Sequence, residues 1–287
     1  MSHTIFRARW AHALIAGLQI LPASARAQPS PEPVASVPSG RTLTVNGVEL
    51  YYEEVGRGAP LLLLHRYGAC GSIWEPHRDR LAQHRRLIIP DLRGHGRSGD
   101  GGAPFRHRDA ALDLFALLDA LGVDRFEAMG ISSGGMTLLH MATQQPDRIS
   151  AMVLIGATTH FGPEARAIMQ RSTPELLSPE QLAVWGACSV RGEGQTHTLL
   201  RDFHAFKDVH DDMSFTEAGL SAITARTLIV HGDRDEFFPV AIATAMYRAI
   251  PRASLWVVPD GGHIPVFGAR TEDFQEGALR FLGVVRR

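Results

Sequence analysis

The sequence predicts a doubly wound, mostly parallel α/β sheet with a helical cap insertion. Unbroken apolar runs such as Leu61-Leu62-Leu63-Leu64, set between turn residues, are the pattern of strands buried on both faces of a sheet. Such runs alternate with amphipathic stretches from residue 60 to 157, as repeated strand–helix units require. The alternation stops between 159 and 225, where several helical pieces occur without a convincing strand, and it resumes at 227.

Residues 41–45 and 48–54 alternate in polarity around Asn46-Gly47, a strong hairpin signal. The buried run at 60–65 is the next strand, followed by a helical stretch at 72–84 and a second buried strand at 86–91. Ala110, Leu112, Leu114, Leu117, Leu118 and Leu121 give residues 107–121 helical periodicity. A strand at 126–129, a helix at 136–144 and a strand at 151–155 follow. Beyond the insertion come a strand at 227–230, a helix near 240–250, a strand at 254–258 and a last helix from 271.

The 287 residues suit one large α/β domain or two small ones, and 45% hydrophobic with 21% charged residues is an ordinary globular balance. A net charge of −1 leaves no basic excess for nucleic acid. The beginning of the chain differs. Arg7 and Arg9 precede an apolar stretch at 10–23, and Ala25-Arg26-Ala27 offers a small-x-small cleavage signal. Residues 1–27 therefore read as a secretory signal peptide, too short to persist as a membrane span, which implies export to a periplasm or medium. The alternative is an N-terminal extension on a cytoplasmic enzyme. Residues 28–40 read as a Pro-rich linker. Cys70 and Cys188 are the two cysteines, and the base rate favours two separate buried thiols over a bridge.

Gly130-Ile131-Ser132-Ser133-Gly134-Gly135 lies between a strand and a helix. In that context a Gly-x-Ser-x-Gly run turns the chain sharply and projects the Ser132 hydroxyl into the crevice at the sheet's C-terminal edge. The N–H of Ser133 then lies where an oxyanion would form. A serine needs a base, and the base needs an orienting acid. His231-Gly232-Asp233-Arg234-Asp235 and Pro259-Asp260-Gly261-Gly262-His263 both follow strands, in the order Ser, Asp, His. His263, delivered by a Gly-Gly turn, is the candidate base among 14 histidines. Asp233 and Asp235 compete for the acid.

These segments resemble the α/β-hydrolase superfamily, specifically its single-domain esterase-like members with a helical cap. The likeness covers roughly residues 41 to 285 and includes Asp91 to Ser98, which looks like the family's loop after its fourth strand. It implies the α/β-hydrolase fold, with a core at 41–158 and 226–287 and the cap at 159–225. It also selects Asp235 as the acid. One departure stands out. Arg66 follows His65 where the family has Gly, and by position the N–H of Tyr67 becomes the second oxyanion donor.

The expected activity is hydrolysis of a small carboxylic ester or lactone through an acyl-enzyme on Ser132, with no metal and no organic cofactor. Similar family members cleave carbon–carbon bonds or make peracids with the same triad, and a ligand-binding receptor on the same scaffold is the alternative from another class. Dehalogenase and epoxide hydrolase chemistry needs Asp at the elbow, and Ser132 argues against both. Arg66, Trp74 and Trp185 are candidate substrate contacts, and Phe203, Phe206 and Phe215 candidate pocket walls. His204, His210, Asp211 and Asp212 read as a solvated helix end.

Overall fold

A computed structural model of the protein describes residues 40–284. The signal peptide read at 1–27 and nearly all of the linker lie outside the described residues. Among those described, eight strands form one sheet: β1 (Arg41–Val45), β2 (Val48–Val55), β3 (Pro60–Leu64), β4 (Arg86–Pro90), β5 (Phe126–Ile131), β6 (Ile149–Ile155), β7 (Arg226–Gly232) and β8 (Ala253–Val258). Their order is β1-β2-β4-β3-β5-β6-β7-β8. Pairing is antiparallel from β1 to β4 through β2 and parallel from there on.

Two helical layers cover the sheet, because successive side chains of a strand point to opposite faces. Leu61 and Leu63 face one layer with Leu81 of α1 (Glu75–Ala82) and Phe274 of α9 (Thr271–Phe281). Leu62 and Leu64 face the other, with α2 (His107–Ala120), α3 (Ser133–Gln144) and α8 (Val240–Ala249). The 159–225 stretch contains α4 (Pro163–Arg171), α5 (Pro179–Gly186), α6 (Glu193–Ala205) and α7 (Glu217–Ser221).

The boundaries refine the sequence reading at the chemically important points. The helix expected at 136 begins at Ser133, so the nucleophile candidate sits at the junction itself. β7 runs on through His231 to Gly232 instead of stopping at 230. The stretch expected to be helical from 72 opens as a 3-10 turn, Gly71–Trp74, and becomes α-helical only at Glu75, with Pro76 in its first turn.

Two expectations are overturned. Cys70 and Cys188 are bonded as a disulfide, 118 residues apart in sequence and 5.8 Å apart at Cα. The end of α5 lies over the turn after β3, where Trp185 packs against Gly68, and this closeness is invisible to a base rate. Asp212 is buried, not solvated, because its carboxylate is drawn to the backbone N–H groups of His107 and Arg108 at the start of α2.

Candidate active site

The site begins with backbone strain. Ser132 has φ 51° and ψ −114°, a left-handed φ that a non-glycine residue rarely adopts. The strain follows from a strand ending at Ile131 and a helix starting at Ser133 with no loop between them. Only glycine permits so close a turn. A Cβ on Gly130 would run into the Gly134 carbonyl carbon, and one on Gly134 would stand 2.6 Å from the Leu64 carbonyl oxygen. The result is a hydroxyl at the crevice with the first N–H groups of α3 beside it.

His263 meets this hydroxyl from the loop after β8. Its Nε2 is 2.9 Å from Ser132 Oγ, and its Nδ1 is 2.9 Å from Asp235 Oδ2. Asp235 comes from the loop after β7, where its Oδ1 accepts the N–H groups of Phe237 at 2.8 Å and Phe238 at 3.1 Å. Burial alone would raise the Asp235 carboxyl. Hydrogen bonding to His263 and to those two N–H groups outweighs it, and the carboxyl lies below its ordinary range. A carboxylate there accepts the Nδ1 proton and leaves Nε2 free to accept from Ser132. Asp233 is exposed at the same turn.

The turn after β3 is braced by His65. Its Nδ1–H donates to the Arg66 carbonyl at 2.7 Å, while its Nε2 accepts the Leu92 N–H at 2.8 Å. The Tyr67 phenol donates to the Leu199 carbonyl of α6 at 3.0 Å. Neither the Tyr67 N–H nor the Ser133 N–H meets a backbone acceptor among the described residues.

Ser132 and His263 open onto a cavity of about 270 Å³. Arg66, Tyr67, Ser133, Trp185, Phe203 and Phe206 line it, all of them singled out from the sequence. Burial pulls the Arg66 guanidinium below its ordinary value. Arg66 Nη1 donates to the Tyr67 carbonyl at 2.9 Å, and the guanidinium has no ion-pair partner among the described residues.

Two expected contacts are absent from the cavity. Trp74 is fully buried in the opposite layer, with Leu61 and Leu63, because the 3-10 turn carries it behind the sheet. Phe215 packs on the His140 ring at 4.8 Å, with its N–H donated to the Thr159 carbonyl at 3.1 Å. Sequence reasoning missed Met136, Phe161, Met169, Glu236, Phe237, Phe238 and Ile264. The last four flank Asp235 and His263 in the sequence, a signal that was available. The other three are core-like residues with no distinguishing mark.

Residues 59–183 match the family model described as the alpha/beta hydrolase fold. The chain has the α/β-hydrolase fold. Among curated proteins it is similar to a 2-hydroxymuconate semialdehyde hydrolase of Pseudomonas sp. strain CF600, 27% identical over 247 residues, covering 78% of this chain and 87% of that one. It is also similar to a pimeloyl-acyl-carrier-protein methyl ester esterase of Nitrosomonas europaea, 27% identical over 247 residues, covering 75% of this chain and 93% of that one. Among solved structures, the enol-lactonase of Burkholderia xenovorans LB400 shares the fold of this chain, with TM-score 0.68 and 23% identity, covering 85% of this chain and 100% of that one.

Proposed function

We propose that this protein cleaves a small carboxylic ester or lactone through an acyl-enzyme on Ser132. The supporting observation is the continuous relay from Ser132 Oγ through His263 to Asp235, with both links at 2.9 Å. His263 takes the Ser132 proton as the oxygen attacks the carbonyl carbon. The N–H groups of Tyr67 and Ser133 receive the developing oxyanion, and Asp235 steadies the imidazolium. The imidazolium protonates the leaving alcohol, and water, deprotonated by the same His263, releases the acid. The esterase relative supports ester chemistry.

The aromatic walls suit an apolar acyl or alcohol group. Trp185 supplies part of that wall. Arg66, which has no ion-pair partner among the described residues, suits a substrate that also carries a carboxylate, because a partly desolvated guanidinium gains from a bidentate anion. Export is part of the same proposal. The N-terminal pattern supports it, and so does the Cys70–Cys188 bridge, since disulfides persist in oxidising compartments.

A second reading is carbon–carbon bond hydrolysis of a ring-fission product, favoured by the name of the semialdehyde hydrolase relative. A panel of graded p-nitrophenyl esters, lactones, carboxylate-bearing esters and vinylogous diketo acids separates the two readings by kcat/KM; including peroxide tests peracid formation. Ser132→Ala should abolish turnover and fluorophosphonate labelling while preserving the fold. Retained esterase activity in that variant ends the proposal.

A further inference from the structure

A second buried relay lies beside the first. Ser133 Oγ is 3.0 Å from His107 Nε2, and His107 Nδ1 is 2.6 Å from Asp212 Oδ2. All three side chains are buried. They come from three elements: Ser133 opens α3, His107 opens α2, and Asp212 lies between α6 and α7.

The proton positions follow from the partners. Asp212 Oδ2 also accepts the His107 N–H at 3.0 Å, and Oδ1 accepts the Arg108 N–H at 3.2 Å. Burial would raise this carboxyl, but hydrogen bonding to His107 and the backbone outweighs that and holds it well below its ordinary range. A carboxylate so placed accepts a hydrogen bond from Nδ1–H, and Nε2 is left as an acceptor. The Ser133 hydroxyl therefore donates to His107, and its side chain is pinned. The Asp212 segment is tied down again by His140, whose Nε2–H donates to the Asp212 carbonyl at 2.7 Å.

Capping of α2 accounts for the bonds from Asp212 to the two N–H groups. It does not require the chain of contacts to continue through the imidazole to Ser133. The peptide that carries the Ser133 N–H is held at its other end, where the Ser132 carbonyl accepts the Met136 N–H at 2.9 Å, and the Ser133 side chain bonded to His107 supplies a second hold beside the strained Ser132. Oxyanion stabilisation is sensitive to the orientation of that peptide, because a donor must aim where charge develops.

We propose that Asp212 and His107 are positioning residues that act through the Ser133 hydroxyl. They hold the Ser133 N–H toward the oxyanion, and so couple the segment between α6 and α7 to transition-state stabilisation. The proposal rests on the reading of Ser132 as nucleophile.

The test compares Ser133→Ala, Ser133→Thr and His107→Gln by kcat and KM on a p-nitrophenyl ester, by Tm, and by inhibition with a trifluoromethyl ketone, whose adduct carries the oxyanion. Losing the tether but not the N–H should lower kcat about tenfold, a fraction of the 10²–10³ attached to a whole donor, with KM within about twofold. Ketone affinity should fall by the same factor, and Ser133→Thr, which keeps the hydroxyl, should recover most of both. His107→Gln should reproduce Ser133→Ala where its Tm matches wild type; where it does not fold, the two Ser133 variants carry the test. Wild-type kcat in Ser133→Ala, or a kcat loss with ketone affinity unchanged, overturns the relay. Ser132→Ala run in parallel separates the two failures. If it remains active, the acyl-enzyme reading falls; if it is dead while Ser133→Ala is normal, only the relay falls.

Discussion

The Asp235 carboxylate stands 2.9 Å from Nδ1 of His263, while Asp233 on the same turn is exposed to solvent. Asp235→Asn should lower kcat by a factor on the order of 10⁴ with little change in KM, because the amide no longer selects the imidazole tautomer that accepts from Ser132. Asp233→Asn should leave both constants near wild type. Steady-state kinetics of the pair decides the assignment, and equal losses would refute it.

Arg66 departs from the family pattern and enters the cavity without an ionic partner among the described residues. Arg66→Gly should raise KM for esters that bear a carboxylate by about tenfold, roughly the value of one partly buried charge-assisted contact. Neutral esters of the same size serve as the control. An equal effect on both classes would assign Arg66 to the turn alone.

The Cys70–Cys188 bridge ties the end of α5 to the segment after the turn that follows β3. Replacing both cysteines with serine should cost about 2–5 kcal/mol of stability, the usual range for a native bridge closing a long loop. KM should rise more than kcat falls, since Trp185 on α5 loses its fixed place over the cavity. Denaturant unfolding and kinetics of oxidised, reduced and double-serine protein should order wild type above the other two.

His77 is buried against Phe267 and Phe274, and burial lowers its pKa to about 4. An unfolded histidine takes up a proton near pH 6.5. The folded protein binds fewer protons between these values, so the stability is fully present above about pH 6.5 and is lost as pH falls toward 4. His77→Phe should match wild type near pH 8 and exceed it at pH 5 by at most about 2 kcal/mol. Tm measured against pH checks this; parallel curves for the two proteins would refute it.

The strands were legible because burial on both faces leaves a local mark, an apolar run bounded by turns. Ser132 was legible because a strand-to-helix turn without a loop demands glycines around the serine. His263 and Asp235 were placed at strand ends by the same local reasoning, although the choice of Asp235 over Asp233 needed the family pattern; the structure brings Asp235 within 2.9 Å of His263. Phe237, Phe238 and Ile264 were within reach of that reasoning, as neighbours of two site residues.

Local pattern thus specified the elements, their alternation and the chain positions from which chemistry could come. It could not specify on which side of the sheet Trp74 would lie, that Cys188 would reach Cys70, or that Asp212 would be buried against His107. Those outcomes depend on pairs 118 residues apart for the bridge and 105 apart for the carboxylate and imidazole. Periodicity reports whether a side chain faces inward, but only the packing of helices over the sheet decides which partner it meets there, and a carboxylate can be buried only after that partner is in place.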